Sequence, residues 1–191
     1  MVCKKITLHI GLSKTGTSSI QNYMRDDVTK LNSLDINVYL SNDWPHGLAK
    51  TLISDDEQFL YEFKRLLKKE QKSHVIISSE YFEFFSPEKI SKLKEFLLDY
   101  KVTVVAYLKR QDQAIVSMYN EEVKKGVTLL NFKNYCDENW QRFDYSNLLS
   151  NWSEFFGEDN ILIRPFQKSV FLNENLIDDF FWVICVKPRN Y

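Results

Sequence analysis

Only three cysteines occur in the 191 residues, Cys3, Cys136 and Cys185. They are far apart and odd in number, which argues against a disulfide framework and a zinc-type cluster and favours a reducing compartment. No apolar run approaches the ~18 residues of a membrane span, and Met1-Val2-Cys3-Lys4-Lys5 passes directly into a strand-like run without an apolar signal region. The expected address is the cytoplasm. Neither charge is in excess: 25 basic residues stand against 26 acidic ones, so there is no global field to gather nucleic acid or an anionic membrane. With no basic stripe, a nucleic-acid role is disfavoured, and any anion has to be held locally. Histidine is scarce as well. His9 reads as a core residue of a strand, and His46 and His74 have no partners at ligand spacing, so no metal site is expected. Repeats, low-complexity tracts and linkers are absent, which at this length implies a single domain over residues 1–191.

What is present is an apolar fraction of 44%, enough to cover a sheet on both faces. The aromatic clusters at 59–63, 81–85 and 180–182 are read as mostly core. Ile6-Thr7-Leu8-His9-Ile10 predicts a buried first strand that turns at Gly11. Residues 18–31 place Ile20, Tyr23, Met24, Val28 and Leu31 three and four apart, predicting one amphipathic helix. Strands are predicted at 36–40, 75–79, 102–108 and 160–164. Helices are predicted at 55–71, 87–98 and 111–125, and in two pieces over 129–156, where Gly157 is a C-cap. Residues 42–54, with Pro45 and Gly47, read as a loop with at most one helical turn. Strands alternating with helices of 10 to 17 residues predict an α/β three-layer sandwich of P-loop-like type, its central sheet mostly parallel and flanked by helices.

Gly11-Leu12-Ser13-Lys14-Thr15-Gly16-Thr17-Ser18-Ser19 joins the first strand to the first helix, where backbone amides and the helix dipole converge on an anion. The glycines permit close backbone approach, Lys14 brings a mobile positive charge, and Ser13, Thr15, Thr17 and Ser18 bring hydroxyl donors. A phosphate or phosphosulfate suits this set; the alternative is a turn that only caps its helix. The Walker A pattern wants a lysine where Thr17 stands, which weakens but does not remove a P-loop kinase or NTPase reading.

The run from His9 to Gln21 resembles the 5′-phosphosulfate-binding loop of sulfotransferases dependent on 3′-phosphoadenosine 5′-phosphosulfate (PAPS), especially bacterial carbohydrate-type members. Val104-Val105-Ala106-Tyr107-Leu108-Lys109-Arg110-Gln111-Asp112, continuing to Ser117-Met118-Tyr119-Asn120, resembles their 3′-phosphate-binding strand, turn and helix. Residues 143–166 resemble a third stretch of the same proteins.

The resemblance implies sulfuryl transfer from PAPS to an acceptor hydroxyl, on a carbohydrate, leaving 3′-phosphoadenosine 5′-phosphate (PAP) and needing no metal. It puts the phosphosulfate on residues 13–18, with Lys14 beside the oxygen that bridges phosphorus and sulfur. The 3′-phosphate falls to Ser117 and the position eight residues earlier. That position is Lys109, where the family carries arginine, and Arg110 beside it is the other candidate. Glu80, in Ser78-Ser79-Glu80, is the candidate base, and burial beside Tyr81 and Phe82 would raise its pKa. Against capping as the alternative role of Glu80, Lys109 and Arg110 stands the agreement in order and spacing. The family commonly continues well past the 160–166 strand, so a chain ending at Tyr191 is expected to be short at the C-terminus. The second functional reading is therefore a nucleotide-binding protein of the same fold with impaired turnover.

Overall fold

The computed structural model describes residues 4–40, 47–54 and 57–185. Among the described residues five strands, β1 (Lys5–His9), β2 (Ile36–Leu40), β3 (His74–Ser78), β4 (Lys101–Leu108) and β5 (Ile161–Pro165), form one parallel sheet in the order β2-β3-β1-β4-β5. Helices cover both faces, as the α/β reading expected. On one face, Ile6, Leu8, Val75, Ile77 and Val104 pack against α3 (Gly47–Ser54), α4 (Glu57–Lys69), α5 (Pro87–Phe96) and α8 (Tyr145–Phe156). On the other, Ile76, Val105, Tyr107 and Leu162 meet α1 (Thr17–Asp26), α2 (Val28–Ser33) and α9 (Leu176–Cys185). The alternation is the pleat at work: neighbours in a strand point to opposite faces, and with both faces covered each residue finds a core. A smaller apolar cluster joins α6 (Gln111–Lys124) to α7 (Phe132–Asn139) and the 3-10 turn Trp140–Phe143.

Two local expectations are corrected. The helix predicted over 18–31 is broken at Asp27, whose carboxylate accepts from Lys30 N at 3.1 Å and caps a new helix; a short acidic side chain offers the backbone an alternative to continuing. The segment 42–54, read as a loop, is helical over 47–54, where Leu48, Ala49 and Leu52 are buried against the sheet. Residues 42–46 of that reading, and the 55–56 start of the next helix, lie outside the described residues. The aromatic clusters divide: Phe59, Phe63, Phe82, Phe85, Phe180 and Phe181 are buried, whereas Tyr61 and Phe84 are exposed. Among the described residues no helix is long and apolar enough to cross a membrane.

The topology fixes where a site can form. The chain leaves β1 toward β2 on one side, and later crosses from β3 over β1 to β4 on the other. A crevice opens outside the carboxyl ends of the strands at such a reversal.

Candidate functional site

The backbone leaves β1 through Gly11 to Gly16 and enters α1 at Thr17. Both glycines are sterically required. Gly11 has φ 22°, and a Cβ on it would come 2.5 Å from Thr17 Oγ1; Gly16 has φ 74°, and a Cβ there would overlap Leu176 of α9 and stand 3.0 Å from the Phe166 ring. Lys14 adopts φ 68° although it carries a Cβ, a conformation that costs roughly 1–3 kcal/mol and persists only where its surroundings enforce it. They do so here. Thr15 Oγ1 donates to Leu12 O at 2.6 Å, and Ser13 donates from N and Oγ to the Glu83 carboxylate at 2.7 and 2.5 Å. The Lys14 ammonium projects across to α6 and pairs with Glu121.

Below the loop lies a polar cluster inside the sheet. His9 is fully buried, with Nδ1 2.8 Å from Ser78 Oγ, and Gln21 Nε2 donates to Ser78 O and Oγ at 3.2 Å. Burial lowers the His9 pKa to about 4, so the ring is neutral near pH 7 and adds no charge beneath the loop. Its Nε2 has no hydrogen-bond partner among the described residues, and neither has the buried Thr17 Oγ1.

Because the strands are parallel, the loop after β1, the 3-10 turn Glu80–Phe84 after β3 and the start of α6 after β4 share one edge. A cleft of about 630 Å³ opens between them. Ser13, Lys14, Gly16, Thr17 and Ser18 line it from the loop, Glu80 from the turn, and Ser117 and Glu121 from α6. A hollow of about 350 Å³ adjoins it, sharing Ser13, Phe84, Met118 and Arg142 and extending to Tyr145 and Asn147. Arg142 stands between the two, 5.2 Å over the Phe84 ring and 3.5 Å from both Glu83 and Glu122. Its charge is thereby met by two carboxylates where cleft and hollow join, and Lys14 is the loop's own cation.

No family model matches the sequence. An uncharacterized protein of Archaeoglobus fulgidus is 34% identical over 108 residues, 56% of this chain and 28% of that protein, so the chain spans little more than a quarter of that relative's length. Among solved structures, the sulfotransferase from Alicyclobacillus acidocaldarius aligns with a TM-score of 0.58 at 18% identity, over 84% of this chain and 72% of that one. The mouse sulfotransferase SULT7A1 complexed with PAP aligns with a TM-score of 0.55 at 10% identity, over 98% of this chain and 61% of the other. The chain has the sulfotransferase fold.

Within that sulfotransferase fold the candidate residues separate. Ser13, Lys14, Gly16, Thr17, Ser18, Glu80 and Ser117 meet at the cleft. Thr15 is buried with its hydroxyl bonded inward to Leu12. Lys109 is half-buried just past β4, and Arg110 is exposed, bonded to Asp112 at 2.8 and 3.2 Å beside a separate hollow near Phe166. Glu80 is not buried beside Tyr81 and Phe82: the 3-10 turn sends Phe82 into the core and leaves Glu80 exposed at the rim. Glu83, Glu121, Glu122, Lys125 and Arg142, all polar residues at the site, were not anticipated. Glu121 and Lys125 follow Ser117 by four and eight positions, which puts them on one helix face. Nothing in the sequence announces that Glu83 reaches back to Ser13.

Proposed function

We propose that this chain is a PAPS-dependent sulfotransferase, acting as a single domain, that moves a sulfuryl group to an acceptor hydroxyl of a carbohydrate. The observation that carries the reading is the glycine-bounded loop at the carboxyl end of the central strand, with the Lys14 ammonium over the cleft, in a chain of sulfotransferase fold. In the reaction the acceptor oxygen attacks sulfur, the bond from sulfur to the bridging oxygen breaks, and the acceptor proton passes to Glu80. Negative charge grows on the departing phosphate of PAP. Lys14 and the amides of residues 13–18 stabilise it more in the transition state than before, which is what lowers the barrier. Ser117 with Lys109 holds the 3′-phosphate, Arg110 being turned to Asp112. The 350 Å³ hollow takes the acceptor, its amide and aromatic side chains being the kind that bind a neutral polyhydroxylated ring. The free thiols of Cys136 and Cys185 suit the cytoplasm.

Calorimetric titration with PAP, beside ADP and beside ATP with Mg²⁺, tests the donor. Preference for PAP is expected, and preference for ATP would replace this reading with a kinase or NTPase. Glu80→Gln tests the base: about 10²-fold or more is expected to be lost from kcat, with PAP affinity little changed. Unaltered turnover would assign the proton to another group. The reading without turnover is favoured by Lys109, which offers a point charge in place of a planar fork; binding of PAP with no consumption of PAPS across a panel of sugars would select it.

A further inference from the structure

The cleft wall formed by α6 carries, beyond Ser117, two charged residues that the nucleotide reading does not use. Ser117, Glu121 and Lys125 succeed one another at four-residue spacing, on one face of the helix and just beyond its end, and all three line the 630 Å³ cleft. The Glu121 carboxylate lies between two ammonium groups, with Oε1 2.5 Å from Lys125 Nζ and Oε2 paired with Lys14 Nζ. One of those lysines belongs to the anion-binding loop. The two lysines hold the Glu121 carboxyl down to about 2, so it is ionised at every working pH. A carboxylate placed between two lysines at the mouth of a loop built for an anion does what a ligand's anion would do there.

We infer that Lys125 is the second cation of the anion site, and that Glu121 holds the place between Lys14 and Lys125 which an anionic oxygen of the ligand takes in exchange. The sulfotransferase reading supplies only the ligand's identity, a nucleotide phosphate or phosphosulfate; the exchange itself follows from the two pairings. Its consequence runs in opposite directions for the two side chains. Removing the Lys125 charge deletes a charge-assisted contact to the incoming anion. Removing the Glu121 charge releases both lysines and deletes a repulsion, so it strengthens binding. Glu83 takes no part, because its carboxylate is engaged with Ser13 on the far side of the loop.

The test is calorimetric titration of the full chain, K125Q, E121Q and the control K124Q with inorganic phosphate and, separately, with PAP and with ADP at fixed low ionic strength. K124Q removes the same charge from an exposed residue that does not line the cleft. Expected are affinities about three- to tenfold weaker in K125Q and about threefold or more tighter in E121Q, with K124Q close to the unaltered chain. K125Q no weaker than K124Q, or E121Q no tighter than the unaltered chain, overturns the inference. If phosphate follows the expected pattern while PAP shows no advantage over ADP, the exchange stands and the sulfotransferase reading falls. If PAP is preferred but K125Q matches K124Q, the reading stands and the exchange falls. Absence of measurable phosphate and PAP binding in all four proteins overturns both.

Discussion

Lys14→Ala is expected to lower sulfuryl transfer by about 10²–10³-fold, the scale of losing one fixed donor to a developing oxyanion, while the chain stays folded. The loss falls on turnover because the ammonium meets its full partner only when the bond from sulfur to the bridging oxygen stretches and charge collects on the phosphate. Stability is nearly indifferent. The pair with Glu121 is about a third exposed, 32% and 29% for the two side chains, and pairs of that kind contribute about 0–1 kcal/mol. The strained backbone at residue 14 is unaffected, since alanine carries the same Cβ at φ 68°. Single-turnover assay with PAPS and a thermal melt of the same preparation decide the matter. Activity near that of the unaltered chain, in a protein with unchanged Tm, would remove Lys14 from the leaving-group role.

The sequence announced the centre of this molecule better than its periphery, for a physical reason. β4 is buried on both faces, so after Lys101 its residues are apolar almost without interruption; β1 is short and rich in β-formers, and the glycines at 11 and 16 mark a turn that no other residue could make. The break at Asp27 escaped because the apolar spacing of Tyr23, Met24, Val28 and Leu31 runs on through it; periodicity records which face is buried, whereas the break is decided by one side chain bonding to one amide. The helix α3 escaped because Pro45 and Gly47 look like loop residues while three buried side chains suffice to dock a short helix.

At the site, the same distinction holds between chain-local and long-range geometry. Lys14 and Ser117 lie in segments whose order along the chain is enough to bring them to one sheet edge. Glu83 and Arg142 are 59 residues apart and meet only because the turn after β3 and the turn before α8 close over the same hollow. Arg110 illustrates the converse. Adjacent in sequence to Lys109, it occupies the N-cap position of α6, where its guanidinium bonds to Asp112 two residues on, away from the Ser117 cleft.

Asp179→Ala is expected to destabilise the chain by about 3–5 kcal/mol, the scale of removing one partner from a buried ion pair, and hence to lower Tm by roughly 6–20 °C. Asp179 is fully buried near the start of α9, accepting from Tyr107 Oη at 2.7 Å, from Arg164 Nε at 3.1 Å and Nη2 at 2.5 Å, and from Leu172 N at 3.0 Å. Alanine would leave the Tyr107 hydroxyl, which burial already holds in its neutral form, and the Arg164 guanidinium without their acceptor inside the protein. The adjacent Asp178→Ala is the control, since Asp178 is only partly buried and bonded to Asn173; it should shift stability by no more than about 0.5 kcal/mol. Equal melting temperatures for the two variants would mean that the network does not pin α9. The effect should also reach the site: α9 begins at Leu176, whose side chain lies against Gly16 of the loop. A loosened α9 removes the wall that fixes the loop, so PAP affinity should fall in Asp179→Ala even well below its melting temperature, and stay unchanged in Asp178→Ala.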